Sequence, residues 1–83
     1  MLNVWIEMQH PQHGLERFRI KVIKKYNLAA NTIQPKILSR SSSGINCLYV
    51  GRNVSEEEVK NYLVNYFREK NLLEAITKMK MQT

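Results

Sequence analysis

Two histidines, His10 and His13, stand three residues apart in the segment His10-Pro11-Gln12-His13-Gly14. With the single cysteine, Cys47, they offer three donors of the kind zinc takes. No second ligand-spaced cluster accompanies them, so the expectation is two solvated loop imidazoles and a Cys47 that packs inward as a small hydrophobe. A nuclease reading, with Glu7 and one of these histidines moving a proton, lacks any further group to complete it. Glu56, Glu57 and Glu58 follow Ser55, an arrangement that helix capping explains better than acid–base work. No glycine-rich, lysine-bearing phosphate loop is present. The chain is therefore expected to be non-catalytic, with no cofactor and no metal.

The cations carry a stronger signal. Between Glu16 and Glu56 lie eight basic residues and no acid: Arg17, Arg19, Lys21, Lys24, Lys25, Lys36, Arg40 and Arg52. Residues 1–52 hold those eight with two acids, whereas residues 53–83 hold five of each, so the entire net charge of +6 belongs to the first stretch. A solvated protein surface normally interleaves both signs, and a one-signed stretch is an electrostatic footprint for a polyanion. Two rings extend the argument, because single-strand and RNA readers stack bases on exposed aromatics beside basic groups. Trp5 falls on the polar side of an alternating segment, and Tyr49 lies in Ile45-Asn46-Cys47-Leu48-Tyr49-Val50. In RNA-recognition modules, rings on comparable strands do the stacking. The segment Gly44-Ile45-Asn46-Cys47-Leu48 does not carry that family's Gly-aromatic-Gly/Ala-aromatic pattern.

Length, 83 residues, allows one domain spanning residues 1–83. Hydrophobic content of 43 % and charged content of 24 % are globular values. One cysteine excludes an internal disulfide. The opening residues lack the basic and apolar regions of a secretory signal, and no apolar run reaches membrane-spanning length. These features point to the cytoplasm, or the host cytoplasm for a viral protein.

The elements that must hold these residues follow from periodicity. Leu2, Val4, Ile6 and Met8 alternate with polar neighbours and Trp5, as in a strand. Leu15 to Tyr26 supports two readings. Arg17 to Val22 alternates strictly, yet Leu15, Phe18, Val22, Ile23 and Tyr26 also share one helical face, with Arg17, Lys21, Lys24 and Lys25 opposite. The helix is favoured. Ile33 to Ser39 reads as an edge strand with Pro35 near its start, Ile45 to Val50 as a strand, and Ser55 to about Lys70 as a helix with Val59, Tyr62, Leu63, Tyr66 and Phe67 buried. Ala75 to Gln82 fits a last strand or a frayed helix. A shift of 44 positions, taking Asn27-Leu28 onto Asn71-Leu72, makes the halves echo each other. The resulting expectation is an α+β fold of ferredoxin-like βαββαβ type, an antiparallel sheet with two helices on one face. The alternative is a three- or four-stranded meander closed by one C-terminal helix.

Leu48-Tyr49-Val50-Gly51 followed by Ser55-Glu56-Glu57-Glu58-Val59 resembles the second repeat of the bacterial SPOR domain. That resemblance implies peptidoglycan binding on a related architecture. The first half has no corresponding Val-Gln-Val-Gly.

The functional expectation is a small basic nucleic-acid-binding protein, RNA favoured over DNA. Arg17, Lys21, Lys24 and Lys25 would hold phosphates on a helix face, Lys36, Arg40 and Arg52 would extend the track, and Trp5 and Tyr49 would stack bases. Were Arg17 to Lys25 a strand, Arg17, Arg19 and Lys21 would line one sheet face instead, still a basic platform. With no effector domain it would act by occupancy or bridging, in the manner of a phage-type regulator or antagonist of a host nuclease or toxin. The alternative is a protein–protein inhibitor or adaptor whose basic face docks on an acidic partner. No membrane partner is expected, and pairing of edge strands leaves a homodimer open.

Overall fold

A computed structural model of the chain describes residues 2–36 and 47–83. Five strands and one α-helix follow in the order β1 (Leu2–His10), β2 (Gly14–Lys24), β3 (Ile33–Lys36), β4 (Cys47–Val50), α1 (Glu56–Glu69) and β5 (Ile76–Gln82), with a 3-10 turn at Leu73–Ala75 before β5. The strands form one mixed sheet in the order β3-β4-β2-β1-β5. Pairing is antiparallel except between β2 and β4, which run parallel.

The first hairpin dominates. Its register runs without a slip from Leu2↔Val22 to His10↔Gly14. A turn at Pro11–His13 closes onto Gly14, whose φ of 76° lies in the left-handed region that glycine enters at no steric cost. This register sends Val4, Ile6, Met8, Ile20 and Val22 to one face, where all are buried. The helix covers that face. Val59, Leu63 and Phe67 recur at intervals of four, are buried, and join Leu48 and Val50 in one core. Each such side chain contributes roughly 1.5–3 kcal/mol of burial. Ser55 caps the helix as its spacing predicts: its hydroxyl accepts from the Glu58 N–H at 3.2 Å, and three glutamates fill the first turn.

Two expectations are corrected. Leu15 to Tyr26 is not a helix but the long strand β2. Its helical stripe would bury one side only, whereas the strict alternation of Arg17 to Val22 satisfies β1 on one edge and β4 on the other. The two-helix ferredoxin-like arrangement accordingly gives way to a small α+β domain with a five-stranded mixed sheet and a single α-helix among the described residues. The internal echo fails for the same reason, since residues 15–27 and 59–71 adopt different structures. The meander alternative has the hairpin and the single helix right, but the sheet has five strands and a parallel pair, and β5 follows the helix. Ala75 to Gln82 resolves as that strand.

Behind β4 the chain packs tightly. The Gly51 N–H donates to the Thr32 carbonyl at 2.8 Å, and the Lys25 N–H to the Val50 carbonyl at 3.0 Å. A Cβ on Gly51 would collide with the Ala29 carbonyl oxygen, a backbone atom that cannot swing aside. Gly51→Ala should therefore destabilise the fold by about 1–3 kcal/mol. Urea denaturation measures this, and a midpoint equal to that of the unsubstituted chain would show that the 25–32 segment is not held against β4.

Candidate nucleic-acid interface

The face of the sheet opposite α1 is set by the odd-numbered residues of β1 and β2. In register, Arg19 and Lys80 flank Trp5 on its two sides, and Arg17 and Lys78 flank Glu7 in the same way. Lys21 and Gln82 flank Asn3 one row further on. Arg17, Arg19, Lys21, Lys78 and Lys80 are all exposed. Five cations against one carboxylate leave this patch a formal +4. Successive rows lie about 6.7 Å apart along the strands, and the cations of a row sit about 9.6 Å apart across β1. A trough of about 620 Å³ runs between them, lined by Trp5, Glu7, Arg17, Arg19, Lys78 and Lys80 among others.

Trp5 is the centre of this face. Its side chain is 44 % exposed, and among the described residues the Arg19 guanidinium lies over its ring, 5.2 Å from the centroid. Such a contact is worth about 0.5–1 kcal/mol at an exposed site. Glu7 is engaged by Arg17, Nε to Oε2 at 3.1 Å, with the arginine side chain 68 % exposed. Water screens that pair, so its contribution to stability is small.

A second group of cations and rings stands at the end of the sheet away from the hairpin turn. Lys25 Nζ lies 4.5 Å from the centroid of Tyr49, and the Arg52 guanidinium lies 5.0 Å from that of Tyr26. Tyr26 is 84 % exposed. Tyr49 faces Ile23 in register, on the same side of the sheet as Trp5. Four residues of strand and two strand spacings separate the two rings, about 16 Å in all. A hydrogen bond with Cys47 raises the Tyr49 phenol above its ordinary value, with repulsion from that same thiol and burial adding to it. The ring therefore stays neutral at physiological pH.

The sequence-predicted residues scatter as follows. Trp5, Arg17 and Lys21 meet on the open face; Arg17 and Lys21 arrive there from a strand rather than from a helix. Tyr49, Lys25 and Arg52 form the second group. Lys24 leaves the open face: β2 alternation turns it to the helix side, where it borders the cleft at Val54 and Ser55. Lys36 lies in β3 opposite Cys47 in register, and Arg40 falls outside the described residues. The trio of His10, His13 and Cys47 is not brought together. Cys47 is buried opposite Lys21, which itself faces Asn3, seven residues or about 23 Å along β1 from His10.

Lys78 and Lys80 are absent from the sequence expectation, and Arg19 enters it only through the strand alternative. With residues 15–26 forming β2, Arg17, Arg19 and Lys21 line one sheet face, as the strand alternative expects. Lys78 and Lys80 lay in the half of the chain with zero net charge. Their alternation with Met79 and Met81 was the available signal, since in a strand it puts both lysines on one face.

No family model, curated protein or solved structure matches the chain. The reading of this surface thus rests on its own geometry. No helix among the described residues is long and apolar enough to cross a membrane.

Trp5 is the single tryptophan, so intrinsic fluorescence reports on the centre of the face alone. Acrylamide should quench it readily, and Arg19→Ala should raise the quenching constant while costing less than about 1 kcal/mol of stability. A blue-shifted emission insensitive to acrylamide would place the indole in the interior and remove it from the interface.

Proposed function

We propose that the chain binds single-stranded nucleic acid, RNA in the first instance, across the open face of its sheet. The observation that carries this reading is the central row, in which the exposed Trp5 stands between Arg19 and Lys80 with further cations in the rows on either side. Phosphates run past the cations while a base stacks on the indole. Stacking of this kind is worth about 1–3 kcal/mol per base and tolerates any sequence. A broad sheet face does not enter a duplex groove, which admits a helix or a two-stranded ribbon. Single-stranded RNA, by contrast, presents unstacked bases to rings. Tyr49 with Lys25, and Tyr26 with Arg52, extend the track toward the far end of the sheet. The protein acts by occupying the strand or by bridging it to another molecule, without catalysing a reaction on it.

An aromatic centre with a charged rim also suits an acidic protein partner, since interfaces concentrate their energy in such anchors. An excess of five cations over one carboxylate favours the polyanion over that reading.

The test is titration of labelled single-stranded RNA, single-stranded DNA and both duplexes at 50 and 200 mM salt. Engagement of about four phosphates on a single strand predicts a salt slope near −2.8, roughly a fiftyfold loss of affinity over that range. Trp5→Leu should weaken binding by about five- to a hundredfold. Arg19→Glu with Lys80→Glu should weaken it further, whereas Lys60→Glu, on the exposed side of the helix, should leave it unchanged. Absence of binding to every nucleic acid at the lower salt sinks the proposal and turns attention to an acidic protein.

A further inference from the structure

The first hairpin carries a cluster that the open face does not use. His10 is the last residue of β1 and pairs with Gly14, while Glu16 pairs with Met8. His10 and Glu16 are therefore diagonal neighbours on one face of the hairpin. His13 closes the turn just before Gly14, whose positive φ folds the chain back sharply. The two imidazoles consequently lie with ring centroids 4.5 Å apart. One donor atom from each of His10, His13 and Glu16 lies within 4.8 Å of the other two.

We propose that His10, His13 and Glu16 form a mononuclear site for a borderline divalent transition-metal ion, zinc above all. Two imidazoles and a carboxylate suit zinc, copper and nickel rather than calcium or magnesium, which prefer oxygen alone. Bond lengths of about 2.0–2.2 Å in tetrahedral geometry require donors about 3.3 Å apart. The cluster closes to that spacing through side-chain rotation. His13 is exposed and His10 half-buried, so their rings are not locked by a core, and the hairpin backbone already sets the three Cα positions. The fourth position of the tetrahedron falls to water.

Binding displaces the contact that Gln12 makes with His10. The Gln12 N–H donates to His10 Nδ1 at 3.1 Å, which leaves the proton of a neutral ring on Nε2. A metal on Nδ1 takes that lone pair outright, and a metal on Nε2 moves the proton to Nδ1, which then cannot accept. Gln12 is exposed, so water replaces the lost partner. The site is accordingly one of modest affinity that ties the turn to both strands of the hairpin.

Isothermal titration of the intact chain with zinc chloride tests this, together with amide chemical shifts that locate the ion. One saturable site per chain is expected, with shifts confined to residues near the hairpin turn and a raised melting temperature. His13→Ala, a change on an exposed turn, should weaken binding by about tenfold or more and abolish the thermal shift, and Glu16→Gln should weaken it by about fivefold or more. No heat and no shifts at millimolar zinc overturn the proposal. So do shifts centred on Cys47, or a Glu16→Gln chain that binds as tightly as the original.

Discussion

In the β1–β2 hairpin Leu2 faces Val22 and His10 faces Gly14, with no slip between. That register fixes the parity of both strands, and parity decides the destination of each side chain. Even positions Val4, Ile6, Met8, Ile20 and Val22 meet Val59, Leu63 and Phe67 from the helix. Odd positions Trp5, Glu7, Arg17, Arg19 and Lys21 turn to the other face. A shift of one residue would exchange the two sets, placing cations against the helix and aliphatic side chains in water. The cost of burying unpaired charge in the core makes that alternative inaccessible. The core and the basic platform are thus two consequences of one pairing.

Among the described residues one α-helix shields one side of the sheet, and the part of the other side that carries Trp5 must be compatible with solvent. Charged side chains answer that need, but their arrangement goes beyond it. Long stems of Arg17, Arg19, Lys78 and Lys80 lie along the sheet on both sides of β1 and carry their charges to its surface. Placing five cations in adjoining rows produces self-repulsion that interleaved acids would relieve, and Glu7 relieves it in one row only. Lys78 and Lys80 also blunt the free edge at β5, where an uncharged strand would invite pairing with another chain.

Much of this was legible in the sequence, and the losses have a common origin. The Ser55 cap, the Val59–Leu63–Phe67 stripe and the strand containing Tyr49 were each visible from local spacing, because their signals are complete within a dozen residues. Trp5 was visible for the same reason: alternation in Leu2 to Met8 separates it from Val4 and Ile6. The segment after Gly14 was not decidable locally. Leu15, Phe18, Val22 and Ile23 serve a helix stripe as well as a strand, and only pairing with β1 and β4, distant in sequence, selects the strand. Lys78 and Lys80 depended in turn on that choice, since they join the cations of β2 only once β1 stands between them.

On the proposed function, the contact of Arg19 with Trp5 bears on how a base would reach this face. A base can stack on the indole only where the guanidinium has moved off, so the two compete for one surface. The cation–π contact is worth about 0.5–1 kcal/mol in solvent, less than the roughly 1–3 kcal/mol of base stacking, so a base would displace it. The displaced guanidinium keeps its charge and a planar array of donors suited to phosphate oxygens. Arg19 would then give up a weak contact and gain a charge-assisted one as the ring it covered is filled. Until then it covers part of the indole, limiting the apolar area that Trp5 shows to water. The same relation holds between Lys25 and Tyr49, where an ammonium 4.5 Å from the ring centroid can turn from aromatic face to backbone phosphate. Trp5 and Tyr49 are thus each paired with a cation that would serve a nucleotide stacked on the ring.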